Sequence, residues 1–172
     1  MLNKPRGLIT SRQDEQQRPT IYSCLAEMDL PYIAPVGRLD KASEGLLLLT
    51  NDSRWAAQLT DPSSQIDKCY HVQIDRLADA DFCQVLMRGV VGDQGEPLAV
   101  KTATVLRSGQ RSSWLEITLD EGKNRHIRRI IEVLDAKVLR LVRVAVGPLK
   151  LGDLAKGAFR ELTASEVASL KI

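Results

Sequence analysis

The sequence predicts an α+β domain built on a mixed, mostly antiparallel sheet, and three observations carry that reading. Short runs of alternating apolar residues come in pairs joined by polar turns, as with residues 99–106 and 113–119 on either side of Ser108-Gly109-Gln110, which is the pattern of a hairpin. Segments with apolar residues at helical spacing are interspersed among these runs, without the strict strand–helix alternation of a parallel sheet. Neither Gly-x-Gly-x-x-Gly nor Gly-Lys-Ser/Thr occurs, which argues against dinucleotide and nucleoside-triphosphate chemistry. The 172 residues suit one domain, or one domain with two lobes. With 44% hydrophobic and 27% charged residues the chain can bury a sizeable core, which argues against disorder.

In chain order, residues 33–36 read as a short strand. Residues 45–50 read as a fully buried one, because their leucine run is bounded by Gly45 and by Asn51-Asp52. Asn51 or Asp52 can cap a helix over 53–59, which Pro62 ends. Residues 68–74 alternate, with Tyr70, Val72 and Ile74 on one face and Cys69, His71 and Gln73 on the other. A helix from Asp79 or Ala80 to Arg88 stops at Gly89, and Gly92-Asp93-Gln94-Gly95 is a turn. After the 99–106 and 113–119 hairpin, Ile127, Ile130, Ile131 and Leu134 form one buried helical stripe. Arg125 and Arg129 lie opposite that stripe and Arg128 at its margin, so Arg128 can turn into a cleft while its neighbours face solvent or a ligand. Residues 138–146 form a strand with Leu139, Leu141, Arg143 and Ala145 on one face. A last short strand over 158–162 precedes a terminal helix capped by Thr163.

The longest purely apolar run is the four leucines 46–49, far below the ~20 residues that span a bilayer. The start of the chain lacks the pattern of a signal peptide, so a cytoplasmic protein is expected. Cys24, Cys69 and Cys83 are odd in number and never in a Cys-x-x-Cys pair, and only His71 and His126 could join them, so neither disulfides nor a metal site is expected. The net charge of +2 hides an asymmetry: residues 121–143 hold seven basic side chains against three acidic ones, while the remainder of the chain is net negative. That is the footprint of a face that meets a polyanion, although a mixed charged helix is as often simply a solvated face. Seven aromatic residues are too few for a long base-stacking platform.

The loop from Gly37 to Gly45 concentrates charge between two strands. Asp40 there, flanked by Arg38 and Lys41, is expected to stay ionised at neutral pH and able to act as a nucleophile, unless it only makes a local turn bond. Tyr70 on an apolar strand face reads equally as core, and Arg128 as half of a structural ion pair.

Family resemblance resolves these alternatives. The run from Pro35 through Gly37-Arg38-Leu39-Asp40-Lys41-Ala42-Ser43-Glu44-Gly45 to Asp52 closely resembles the active-site motif of the pseudouridine synthases of bacterial ribosomal RNA. Asn3-Lys4-Pro5-Arg6-Gly7 resembles their N-terminal motif, Lys68-Cys69-Tyr70-His71-Val72 the strand bearing the family tyrosine, and the stretch from Glu121 to Arg129 the third motif. Leu139-Arg140-Leu141-Val142-Arg143 followed by Gly147-Pro148-Leu149 also fits, so the resemblance spans essentially the whole chain. The family has an A type for the RNA of the small ribosomal subunit, and B, E and F types for that of the large one. The chain is most similar to the E type, which lacks a separate N-terminal RNA-binding domain.

The resemblance implies a single catalytic domain over 1–172, with the pseudouridine synthase fold: two lobes, flanking helices and a central active-site cleft. It implies that Asp40 is the catalytic aspartate, Arg128 its ion-pair partner and Tyr70 the ring against the target uracil. Leu141 and Arg38 would line the substrate pocket, and Lys41, Lys123, Arg125, Arg129 and Arg143 would hold RNA. The implied enzyme is a monomeric, cytoplasmic isomerase of a uridine in ribosomal RNA, in the 23S RNA by its type, without cofactor, metal or membrane. Isomerisation breaks the N1–C1′ bond and rejoins uracil through C5, so position and charge suffice. Attack of Asp40 on C1′, addition to C6 and glycal formation all remain open. Two other classes compete: an idle RNA-binding module with the same fold, and a glycoside hydrolase with Glu44 as second carboxylate.

Overall fold

The computed structural model describes residues 1–26 and 29–170. The chain divides into two compact units, Met1–Ile66 with Arg143–Ile172, and Asp67–Val142.

The first unit is organised on a strand that can only be interior. β3 (Glu44–Thr50) carries leucine on both faces and is buried from Glu44 to Leu48. β1 (Leu2–Lys4) pairs with it antiparallel, with Leu2 opposite Leu47 and Lys4 opposite Gly45. β2 (Ala34–Val36) also pairs with it antiparallel, with Val36 opposite Leu48. The side chain of Asp52 accepts hydrogen bonds from the amides of Arg54 and Trp55 and so starts α1 (Ser53–Thr60), whose Trp55 and Leu59, one turn apart, are buried. Each contributes roughly 1.5–3 kcal/mol of burial. They join Val36, Leu46, Leu48, Val146, Leu149 and Leu170 in one core. The chain ends in a capping box between Thr163 and Glu166 on α4 (Ala164–Ser169). The expected strand over 158–162 is reduced to one bridge between Phe159 and Leu2, flanked by bonds from the Asn3 amide to the Ala158 carbonyl and from the Arg160 amide to the Met1 carbonyl.

The second unit is an antiparallel sheet covered on one face by two helices. β4 (Lys68–Ile74) pairs with β8 (Ser113–Leu119) over all seven residues, and β8 pairs with β7 (Thr102–Ser108) through a bulge between Val105 and Arg107. Alternation in β8 buries Ser113, Leu115, Ile117 and Leu119. Against that face pack Phe82, Cys83 and Leu86 of α2 (Ala80–Arg88), and Ile127, Ile130 and Ile131 of α3 (His126–Val133). The expected 99–106 strand begins later. Pro97 and Leu98 instead form β6 (Pro97–Leu98), paired with β5 (Val90–Val91) across the 92–95 turn, and the Val100 amide bonds the Leu86 carbonyl. β9 (Val138–Val146) contains the boundary: its residues 138–142 belong to the second unit, and the rest, followed by β10 (Leu149–Lys150), to the first.

Candidate active site

The first unit holds Asp40, Arg38, Lys41 and Arg143. The loop between β2 and β3 is fixed from one side by the first ten residues of the chain. The Gly7 amide donates to the Lys41 carbonyl at 2.7 Å, and the Ser43 amide closes a turn onto the Asp40 carbonyl at 2.9 Å. The Thr10 hydroxyl donates to the Leu39 carbonyl at 2.7 Å and accepts from the Leu39 amide at 3.3 Å. Leu39 is buried, whereas Arg38 and Lys41 are exposed and Asp40 is half-buried between them in sequence. Gly37 and Gly45 both have positive φ, at 70° and 102°. Gly45 has a second reason to be glycine, because a Cβ there would lie 2.3 Å from the Arg143 carbonyl oxygen.

Sequence reasoning gave Lys4 no role, and it is the centre of this arrangement. Its side chain is fully buried, and its ammonium donates to the carbonyls of Ser43 at 2.9 Å, Pro5 at 3.1 Å and Asp40 at 3.2 Å. Desolvation pushes its pKa down to about 8, although the charges of Asp40 and Glu44 pull it upward. Lys4 shares the buried face of β1 with Leu2, but a strand of three residues carries no pattern in the sequence that marks it.

Two expectations are revised here. Arg143 is buried, with 6% exposure, and its Nε donates to the Leu46 carbonyl at 2.7 Å, so this side chain braces β3. Its grouping with the buried Leu141 in the alternation of β9 was the readable signal. Glu44 is 2% exposed and its carboxylate lies 2.6 Å from Lys156 Nζ, which removes the second carboxylate that a glycoside hydrolase needs beside the sugar.

The second unit holds Tyr70, Leu141 and Arg128 with the basic segment. Tyr70 is half-buried against the cluster that contains Leu141 and Ile127. Arg128 is 8% exposed and donates to the Val138 carbonyl at 3.5 Å, in agreement with its place at the margin of the stripe. α3 starts without a side-chain cap, from Arg125 in the left-handed region at φ 49°. Lys123 is exposed, and its ammonium lies 2.8 Å from Glu121 and bonds the Pro97 carbonyl at 3.1 Å. Arg125 is exposed, with Glu132 at 3.8 Å. Arg129, expected to face solvent or a ligand, has its guanidinium held by Asp93, at 2.8 Å, and by Glu96, both from the β5–β6 turn. Burial pushes the pKa of His126 down, so the positive charge of this segment resides on its lysine and arginines.

Among the described residues no helix is long and apolar enough to cross a membrane, and no group of three His, Cys, Asp or Glu side chains is placed to hold a metal ion.

The profile of the family described as RNA pseudouridylate synthase matches residues 1–132. An uncharacterized RNA pseudouridine synthase of Rickettsia bellii is 40% identical over 93% of this chain and 68% of its own length. The ribosomal large subunit pseudouridine synthase B of Bacillus subtilis is 34% identical over 99% of this chain and 70% of its own. The ribosomal large subunit pseudouridine synthase E of Xanthomonas axonopodis pv. citri is 37% identical over 90% of this chain and 88% of its own. The crystal structure of a pseudouridylate synthase superposes with a TM-score of 0.84 at 29% identity, covering 99% of this chain and 72% of that one.

Proposed function

The chain belongs to the RNA pseudouridylate synthase family, and on that premise we propose that it isomerises a uridine of large-subunit ribosomal RNA with Asp40 as the catalytic aspartate. The observation that carries the reading is the 37–45 loop, whose backbone is fixed by Lys4, Gly7 and Thr10 while the Asp40 side chain is left half-buried. A reaction without redox change or external nucleophile needs a positioned carboxylate and little else, whether that carboxylate attacks C1′, adds to C6 or assists glycal formation. The target base must leave its stack to be reached, and Tyr70 offers a ring against it. Leu141 lines the apolar side of the pocket and Arg38 its rim. Arg128 is the cation that supports the carboxylate. Lys41, Lys123 and Arg125, exposed and salt-exchangeable, hold phosphates, and Arg129 does so only by leaving Asp93 and Glu96. The enzyme works as a cytoplasmic monomer without a metal.

Incubation with ribosomal RNA tritiated at uracil C5 should release tritium to water, and Asp40→Asn should abolish the release while RNA affinity changes little. Retained turnover in a preparation free of wild type would remove Asp40 from the chemistry. No release from the wild type would leave an RNA-binding module. For Arg128, denaturation of Arg128→Ala, Asp40→Asn and the double variant should show coupling above ~0.5 kcal/mol; additivity within that margin would separate the two groups.

A further inference from the structure

The sheet of the second unit has a face that its helices leave alone. Tyr70, Val72, Leu115 and Ile117 point to the side packed by α2 and α3. On the other side stand Cys69, His71 and Gln73 of β4 with Trp114, Glu116 and Thr118 of β8, and none of these six is buried. At one end of this face the Arg107 guanidinium lies over the Trp114 ring at 5.1 Å from its centroid, and the Arg140 guanidinium at 5.5 Å. Arg107 is the cross-strand partner of Trp114, placed opposite it by the bulge in β7.

Arg107 differs from Arg129 of the same unit in what holds it. Arg129 is held by two carboxylates, whereas Arg107 has no ion pair among the described residues and is fixed by the indole. A guanidinium stacked on an aromatic ring keeps its N–H edge for a ligand, and its side chain is ordered before the ligand arrives. The acid on this face, Glu116, has its carboxylate 3.2 Å from His71 Nε2. Two cations ordered on one ring are complementary to a chain of phosphates, which planar forks bind bidentately.

We propose that Arg107, Trp114 and Arg140 form a second RNA contact, on the face of β4 and β8 opposite Tyr70, which takes the phosphodiester backbone of the substrate RNA outside the reacting nucleotide. The proposal rests on the RNA-modifying reading above. It accounts for a basic, ring-braced cluster that the chemistry does not use.

The test uses unmodified large-subunit ribosomal RNA transcribed in vitro. Trp55 and Trp114 are the two tryptophans, so Trp55→Phe leaves Trp114 as the sole emitter. Its emission should change on titration with this RNA and recover on adding salt. Arg107→Gln should lower the slope of log affinity against log salt by about 0.7–0.9, and Arg107→Lys should restore it. The maximal rate of tritium release at saturating RNA should match the wild type in both variants. Unchanged emission and an unchanged slope, with the wild type still releasing tritium, would overturn this contact alone. A response to polyglutamate and none to RNA would overturn it in favour of an acidic protein partner. Absence of tritium release from the wild type would strike the underlying reading instead.

Discussion

The 37–45 loop and the 121–129 segment both present charged side chains from short connections, and they are held in opposite ways. The loop is fixed by bonds to its backbone: a buried ammonium, a buried hydroxyl and an amide, all reaching carbonyls, plus the close approach of Arg143 to Gly45. The segment is held through its side chains, by ion pairs of Lys123 and Arg125 whose members are largely exposed. Backbone bonds to buried groups fix a position and are insensitive to salt, while exposed ion pairs contribute little and exchange readily for other anions. The difference separates the work of holding one carboxylate still from that of receiving a polyanion.

The glycines give the largest expected contrast. Gly45→Ala would place a methyl group against the Arg143 backbone at a φ of 102°, and should destabilise the fold by roughly 2–4 kcal/mol. Gly122→Ala meets nothing within 4 Å and should stay within about 0.5 kcal/mol of wild type. Equal losses in urea denaturation would erase the distinction between the two regions. Next in size is Lys4→Met, which keeps the apolar stem and strips three carbonyls of their donor. It should lower kcat by about 100-fold through displacement of Asp40, with a stability loss of roughly 1–3 kcal/mol. An unimpaired kcat would make Lys4 a mere filler.

The same variant carries a pH signature. A lysine whose folded pKa is about 8 against an ordinary 10.5 binds its proton more weakly folded than unfolded, so wild-type stability should rise between those two values. Lys4→Met should lack that rise. The smallest effect is ionic: Lys123→Ala and Arg125→Ala should each lower the salt slope of RNA affinity by about 0.7–0.9, while Lys4→Met leaves it unchanged. A loss of slope in Lys4→Met would mean that the buried ammonium also serves the RNA.

How much of this was legible in the sequence depends on the range over which each feature is decided. β4, β8, β9 and α2 end where the alternation, the Asp79 cap and Gly89 place them, because those signals are local. The 99–106 strand was misplaced because Pro97 and Leu98 pair with Val90 and Val91, a partnership that alternation does not encode. In the site, the charged loop and its glycines were visible, and so was the marginal place of Arg128. Lys4 was not, because three residues of strand give no periodicity from which to infer that a lysine is buried. The carboxylates that hold Arg129 were not legible either, because they come from a turn more than thirty residues earlier.

The division of the chain also orders its birth. The second unit is one unbroken stretch, whereas the first is made of two pieces with that stretch between them. During synthesis, at about 5–20 residues per second, the second unit is complete before the strand end that closes the first has been made. Leu46 waits for Arg143, and the backbone of Met1 waits for Arg160, until the chain that follows the second unit has emerged. The leucine-rich β3 is therefore made long before its later partners, and the aspartate loop gains the support of Arg143 only after the whole second unit has been synthesised.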